Sequence, residues 1–317
     1  MTTNQTLIME DPGEYCTIDT CSLELANFTY IPTLAGNATY LAIFAFLVPF
    51  QLFFGIRYRT WGFLVGMIGG LALEIIGYVG RVQLHFNPFP FDPFLEYLIC
   101  LTIGPAFLSA AIYLCLGRIV VVYGEHVSRI APRTYAIIFV CCDLLSLILQ
   151  AAGGALTATA DKDQDDLRDT GINIMIAGLA TQVASLAAFI LLCAEFAWRV
   201  VQNKHRLNES FEGLRRTKMW KLFLFGIAVA TVTIFVRCIY RLLELNEGFD
   251  GELANDELLF MILEGPMIFI ACIALTIFHP GVCFRGRFQE ADWSFSKKKS
   301  GGRTKETGFS ETEDERA

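Results

Sequence analysis

Seven apolar stretches, each about 20 residues long, dominate this chain. A helix of about 20 residues spans the roughly 30 Å hydrocarbon core of a bilayer. The stretches lack the alternation of apolar and polar residues that builds membrane β-barrels. We therefore predict an all-α fold, a polytopic bundle of seven transmembrane helices. The predicted spans are Leu34–Ile56, Trp61–Gly80, Tyr97–Val122, Tyr135–Leu156, Ile172–Ala194, Leu222–Leu243 and Leu258–Phe278.

Lysine and arginine residues concentrate in alternate loops between these spans, and residues 199–221 alone contain seven of them. Because cytosolic loops are enriched in positive charge, we predict an extracellular N-terminus and a cytosolic C-terminus. The predicted domains are an extracellular tail at 1–30, a membrane domain at 31–283 and a disordered cytosolic tail at 284–317. Residues 1–30 lack the basic start and apolar core of a signal peptide, so the first span is expected to carry that tail across.

The sixth stretch carries Arg237, Arg241 and Glu244 at helical spacing. A charged side chain inside a membrane costs about 3 kcal/mol on insertion scales, so such residues persist where they meet a partner or a polar cavity. The outer halves of other spans carry further charged residues. The predicted intramembrane charge network comprises Glu74, Arg81, Arg237, Tyr240, Arg241, Glu244 and Glu264. Two interpretations stay open: an outward-facing vestibule lined by these groups, and a purely structural set of ion pairs.

A second polar set lies on the fourth and fifth stretches. Asp143, Ser146 and Gln150 follow one another at offsets of three and four residues, which places them on one stripe of a helix. Gln182 lies one turn after Gly178 on the fifth stretch. A polar stripe in an apolar helix must meet another polar surface. We predict that Asp143, Ser146, Gln150 and Gln182 line a polar seam, a candidate path for a substrate.

The N-terminal tail contains two candidate modifications of secretory-route proteins. Asn4 and Asn27 each begin an Asn-x-Thr triplet, the acceptor for N-glycosylation. Asn37 also begins such a triplet, but it lies too close to the first span to be used. Cys16 and Cys21 lie in the same tail, where an oxidising environment permits a local disulfide.

Several of these motifs resemble the fungal RTA-like proteins, the lipid-translocating exporter family. The resemblance covers about residues 30–283, and the order of the motifs along the chain makes it specific. Glu264 departs from the family pattern, in which an Asp is usual. The matching residues are Glu74, Gly77, Tyr78, Gly80, Arg81, Pro105, Tyr113, Asp143, Ser146, Gln150, Gly153, Gly154, Gly178, Gln182, Arg237, Tyr240, Arg241, Glu244, Gly248, Gly251, Glu257, His279, Pro280 and Gly281.

The resemblance implies a multi-pass protein of the plasma membrane or an endomembrane. It further implies export or flip-flop of sphingoid bases, phospholipids and toxic lipid-like compounds, with resistance to stress or drugs as the consequence. The implied partners are membrane lipids or amphiphilic small molecules, with no cofactor, no metal and no nucleic acid. The oligomeric state stays open. No phosphate-binding loop of the Gly-x-x-x-x-Gly-Lys-Ser/Thr type occurs in the chain, so the expected transport is downhill or driven by a gradient.

Three other functions compete with transport. A seven-helix receptor or sensor that regulates lipid asymmetry or a stress response would have the same topology. An intramembrane zinc hydrolase is disfavoured, because the four histidines lie at or beyond the predicted membrane boundaries. A retinal-binding pump is disfavoured because the seventh stretch contains no lysine. We therefore expect a protein without enzymatic activity.

Overall fold

The computed structural model describes residues 16, 18, 20–23, 26, 30–159, 165–246 and 256–291. Within these residues the chain is helical and contains no strand. Seven spans are long and apolar enough to cross a membrane, which confirms the predicted fold class. The helices are α1 Leu34–Tyr58, α2 Trp61–Phe86, α3 Phe91–Tyr123, α4 Pro132–Thr159, α5 Asp165–Gln202, α6 Lys218–Asn246, α7 Glu257–Leu263 and α8 Gly265–Ile277.

The seventh span is interrupted, which the sequence analysis did not predict. It consists of α7 and α8, and Glu264 separates them with φ −90° and ψ −70°. Pro266 explains the break, because it has no N–H for the carbonyl of the residue four positions earlier. Gly265, the first residue of α8, lets Tyr40 approach the break, since a Cβ there would lie 2.6 Å from the Tyr40 ring. The Tyr40 hydroxyl donates to the carbonyl of Met261 across this break, at 2.9 Å.

The seven spans form a ring in chain order. Each span packs against the next, and α8 closes the ring by packing against both α6 and α1. Helix α3 also contacts α6 across the interior. Hydrogen bonds hold the closing contact. Gln51 on α1 donates to the Thr276 hydroxyl at 2.7 Å. The backbone N–H and the hydroxyl of Thr33 both donate to the carboxylate of Glu257.

Glycines set the close approach of α2 to α3. A Cβ at Gly66 would lie 2.9 Å from the carbonyl oxygen of Phe107, and one at Gly80 would lie 2.9 Å from that of Pro93. Small residues spaced by four let two membrane helices bring their backbones together. The glycines of α2 therefore fix which face of α2 lies against α3.

The segments before and after the seven spans contain a local disulfide and an aromatic cluster. Cys16 and Cys21 are joined by a disulfide with 5.5 Å between their Cα atoms. After α8, Phe284 packs against Trp220, and Phe288 packs against Phe284. Phe284, Phe288 and Ala291, which the prediction placed in the disordered tail, are buried, and the residues after 291 lie outside the described ones. Asn4, Asn27, Gly248 and Gly251 also lie outside them.

Candidate functional site

The structure brings four of the predicted charged residues into one buried group, which we call the charge network: Arg237, Arg241, Glu244 and Glu264. Arg237 donates to Glu264 at 2.5 Å, and both side chains are at most 2% exposed. Arg241 donates to Glu244 at 2.6 Å and also lies 3.7 Å from Glu264. Two arginines therefore share the carboxylate of Glu264, and the charges of the four residues balance.

Local structure explains how these residues meet. Arg237 and Arg241 are one turn apart on α6, so they project from the same face. Glu264 follows the C-terminal end of α7 and precedes the N-terminus of α8, at the break in the seventh span. The positive end of a helix dipole favours a carboxylate. The break therefore directs an acid toward α6 at a depth where lipid would otherwise exclude it.

Arg237 also donates to the main-chain carbonyl of Leu101 on α3. Pro105 lies four residues after Leu101 within α3, and it has no N–H with which to occupy that carbonyl. The proline therefore leaves a backbone acceptor inside the membrane, and the arginine uses it. Sequence reasoning identified Pro105 and Arg237 separately and missed the contact between α3 and α6 that joins them.

Glu74 lies on the α2 face that meets α3 and is 1% exposed. Gly104 makes room for it, because a Cβ there would lie 2.9 Å from its Oε1 atom. That oxygen has no hydrogen-bond partner among the described residues, although Arg237 and Arg241 attract its charge. Tyr240, another predicted member, is buried, and its hydroxyl is likewise unpartnered within the described chain. Both adjoin the charge network without hydrogen-bonding to it.

Arg81 belongs to a second cluster, whose described contacts include an amide, a hydroxyl group and two aromatic rings. It donates to Asn37 Oδ1 and to the Tyr30 hydroxyl, each at 3.1 Å. Its guanidinium carbon also lies 3.8 Å from the ring centroid of Phe260 and 5.1 Å from that of Tyr97. Aromatic faces stabilise a desolvated guanidinium. Arg81 thus joins α1, α2, α3 and α7, a role that the prediction of an acid-rich network did not include.

Three of the predicted seam residues hold α4 against α5. The Ser146 hydroxyl donates to the carbonyl of Gly178 at 2.6 Å, and Gln150 Nε2 donates to Ser146 at 2.7 Å and to Gln182 Oε1 at 3.2 Å. Gly178 permits this, because a Cβ there would lie 2.9 Å from the carbonyl of Ser146. Gln150 Oε1 is left buried, with no hydrogen-bond partner in the described part of the chain.

Asp143 lies on the same helix but meets a different neighbour. It accepts a hydrogen bond from the Tyr113 hydroxyl of α3 at 3.0 Å and is 5% exposed. Its other carboxyl oxygen has no hydrogen-bond partner among the residues described. The ring of Tyr113 packs between Phe139 and Phe189, which fixes the direction of the hydroxyl. Asp143 is therefore held in an apolar surrounding by one donor.

A cleft between α3, α4 and α5 connects the two groups of polar residues. It has a volume of about 180 Å³, and both Thr102 and Gln150 line it. Thr102 accepts from Arg241 of the charge network at 3.4 Å, while Gln150 bonds to Ser146 and Gln182. Ile99, Ala151 and Ala155, which also line the cleft, are exposed at the protein surface. The cleft therefore opens toward lipid.

The described residues contain no group of three His, Cys, Asp or Glu side chains that would hold a metal ion. A further polar pair, Gln51 and Thr276, lies between α1 and α8, away from the cleft. The candidate site therefore has three parts: the charge network, whose charges balance, the polar seam, and the cleft between them. Its buried acceptors can bind hydrogen-bond donors such as those of polar head groups.

The sequence is similar to known proteins over most of its length. The model of the RTA1-like protein family matches residues 67–287. The chain is 37% identical to the sphingoid long-chain base transporter RSB1 of Saccharomyces cerevisiae, over 81% of this chain and 74% of that protein. It is 29% identical to the yeast protein RTM1, over 69% and 67%, and 28% identical to the yeast protein RTA1, over 68% and 66%. No solved structure matches the chain.

Proposed function

This chain belongs to the RTA1-like family, and from that premise we propose that it translocates lipid amphiphiles, sphingoid long-chain bases foremost, between the leaflets of a membrane. The name of the yeast relative RSB1 supports this substrate class. We place the protein in the plasma membrane and assign it no enzymatic activity. Resistance to toxic lipids or lipid-like drugs follows from removal of such molecules from the inner leaflet.

The observation that carries the proposal is the lipid-facing cleft between α3, α4 and α5. Its walls are apolar apart from Thr102 and Gln150, so it suits a molecule with one apolar and one polar end. Gln150 Oε1 is a buried acceptor without a donor among the described residues. A sphingoid base carries an amine and hydroxyl groups, which are donors. The head group would bond to Gln150 while its tail stays in the bilayer.

The charge network has a supporting role in this proposal. Removing one partner from a buried ion pair costs about 3–5 kcal/mol, so the four residues act as a rigid support. Arg241 positions the Thr102 hydroxyl in the cleft wall. Unpartnered buried oxygens at Glu74 and Asp143 offer further acceptors at the α2–α3 and α3–α4 contacts. A donor-rich head group can move past such acceptors at lower cost than across lipid alone.

The test is reconstitution of the purified full chain in liposomes with a fluorescent sphingoid base in one leaflet. We expect movement between leaflets faster than in empty liposomes. Gln150→Leu should slow this movement about tenfold, the effect of losing one hydrogen bond of about 1.4 kcal/mol to a charged group. The readout is the fraction of label that a membrane-impermeant quencher reaches over time.

Gln51→Leu is the matched control. Gln51 is also a buried glutamine that donates to a hydroxyl and has an unpartnered Oε1 within the described residues, but it lies between α1 and α8. Equal slowing in both variants would mean that the glutamines act on stability alone. Absence of movement with folded wild-type protein, for several lipids, would contradict transport and favour a receptor or regulator of lipid asymmetry.

A further inference from the structure

A second, larger apolar groove lies at the other end of the bundle, between α3, α5 and α6. Its volume is about 490 Å³, and its lining is apolar except for Thr231. Three small, exposed residues keep it open: Ala194 and Ala197 on α5 and Ala228 on α6. Small side chains at facing positions leave a channel where larger ones would fill the contact. The groove is the right width and polarity for an acyl chain.

The groove continues into a polar cavity of about 650 Å³ at the end of α5 and the start of α6. The two share Tyr123, Val200 and Val201 as lining residues, so they form one continuous amphipathic site. The polar part contains four lysine or arginine residues and two glutamates. These are Lys204, Arg215, Arg216 and Lys221, with Glu209 and Glu212.

Two of the four basic residues are already engaged. Arg216 pairs with Glu212 at 2.6 Å, and Arg215 donates to the carbonyls of Val122 and Asn208 at 2.9 and 2.5 Å. Lys204 and Lys221 have no ion pair or hydrogen bond among the described residues, and both are exposed. The polar part of the site therefore presents positive charge that its own acids do not neutralise. Charge of this sign attracts anionic lipid head groups.

We propose that this groove and its basic mouth bind an anionic phospholipid of the adjacent leaflet, with the phosphate at Lys204 and Lys221 and an acyl chain along α5 and α6. The length of the groove along α6 matches the thickness of one leaflet. From Lys221 to Val232 the lining of α6 extends about 16 Å at 1.5 Å per residue, half of the roughly 30 Å hydrocarbon core. The same excess positive charge disfavours a cationic sphingoid base.

This lipid site is distinct from the cleft proposed for transport and does not rest on that proposal. It shares no lining residue with the cleft around Gln150. The site joins α5 to α6 through the loop 203–217, where Asn208 and Arg215 already bond to the end of α3. A bound phospholipid would therefore stabilise the packing of these three helices.

The test uses the purified full chain in nanodiscs of phosphatidylcholine that contain a small fraction of phosphatidic acid with a photoactivatable acyl chain. Mass spectrometry locates the cross-linked peptides. We expect labelling on segments 189–201 and 221–232, and at least a fivefold loss in the variant Lys204→Gln/Lys221→Gln. Ala228→Trp, which fills the groove, should reduce the labelling as well.

The control variant is Arg57→Gln/Arg59→Gln, which removes two exposed charges at the C-terminal end of α1, outside the lining of the site. Its labelling should match that of the wild type. Equal loss of labelling in both double variants would mean that any surface charge attracts the anionic lipid, and this would overturn the proposal. So would equal labelling by a phosphatidylcholine probe, or displacement by millimolar inorganic phosphate alone. Gel filtration of each variant checks that the protein is folded.

Discussion

Glu264 is the residue on which the charge network depends. Arg237 and Arg241 both face its carboxylate, whereas Arg241 has Glu244 as a second partner. Without the charge of Glu264, Arg237 would keep its hydrogen bond to the Leu101 carbonyl, with the carboxyl group of Glu74 nearby but not hydrogen-bonded to it among the described residues. An unpaired arginine in a site that is 1% exposed carries a large desolvation penalty. Loss of the Glu264 charge should therefore destabilise the protein more than loss of Arg237.

We expect Glu264→Gln to lower the free energy of unfolding by about 3–5 kcal/mol. Arg237→Met should cost less, because Glu264 keeps Arg241 at 3.7 Å. Thermal unfolding of purified protein in detergent, followed by tryptophan fluorescence, measures which of the two variants is less stable. Glu212→Gln is the control: its pair with Arg216 has a similar distance of 2.6 Å but is exposed, so the loss should stay below about 1 kcal/mol. A larger loss for Arg237→Met than for Glu264→Gln would contradict this reading of the network.

At this scale the structure brings together Arg237, Arg241, Glu244 and Glu264 of the predicted network but places Arg81 in another cluster, and the sequence did not predict the backbone partners. Spacing on α6 placed Arg237 and Arg241 on one face, and their cost in a membrane implied nearby acids. The acceptor at Leu101 was not predicted, because a carbonyl leaves no mark in the sequence. Pro105 was the available signal, since a proline within a helix always leaves one carbonyl without its usual donor.

Among the helices, α2 and α3 approach each other closely at positions that only glycine permits. A Cβ at Gly66 would lie 2.9 Å from both the Phe107 carbonyl oxygen and the Ala111 Cβ, and 3.2 Å from the Ala111 nitrogen. Two of these atoms belong to the backbone of α3, so they cannot move without shifting the helix. The same contact positions Glu74 against α3, so its disturbance reaches the candidate site.

Gly66→Ala should therefore destabilise the protein by about 1–3 kcal/mol, the usual cost of overpacking. Gly213→Ala is the control, because Gly213 lies in the helical turn Glu212–Arg215 with nothing within 4 Å of the added Cβ. That change should be neutral or stabilising by up to about 1 kcal/mol. Both are measured as melting temperatures in the same detergent. Similar melting temperatures for the two variants would show that α2 and α3 separate freely.

Element boundaries were predicted less well than element number. Hydropathy located all seven spans, because about 20 apolar residues are needed to cross a bilayer. It did not locate the break at Glu264, since the residues on both sides are apolar and the average over a window conceals one irregular residue. It also began α3 at Tyr97, whereas the helix starts at Phe91. Residues 91–96 include Asp92 and Glu96, which lower the hydropathy without disfavouring a helix.

For the whole molecule, closure of the ring depends on contacts that no local pattern reveals. Gln51 meets Thr276 and Tyr40 meets Met261, pairs separated by more than 220 residues along the chain. The candidate seam was easier to predict, because Ser146, Gln150 and Gln182 lie on consecutive helices. The sequence therefore predicted contacts between neighbouring spans but did not predict the contacts that join the first span to the last.

Orientation in the membrane is the remaining property of the whole molecule, and glycosylation tests it. Asn208 also begins an acceptor triplet, Asn-Glu-Ser. With the N-terminus outside, Asn4 and Asn27 should be glycosylated in a eukaryotic host, and Asn208 should not. Endoglycosidase treatment should increase gel mobility, and Asn4→Gln/Asn27→Gln should abolish that change. Asn37→Gln, at the start of α1, is the control: the Asn37 side chain is fully buried and accepts from Arg81, so we expect no glycan there.

The opposite orientation would give a different pattern. It would place the loop 203–217 outside, and the mobility change would then persist in Asn4→Gln/Asn27→Gln and disappear in Asn208→Gln. Charge favours the first outcome, because residues 199–221 contain seven lysines and arginines and translocate poorly. The disulfide between Cys16 and Cys21 favours it too, since such bonds persist in oxidising compartments. This orientation would place the basic mouth of the proposed phospholipid site at the cytosolic leaflet, where anionic lipids concentrate.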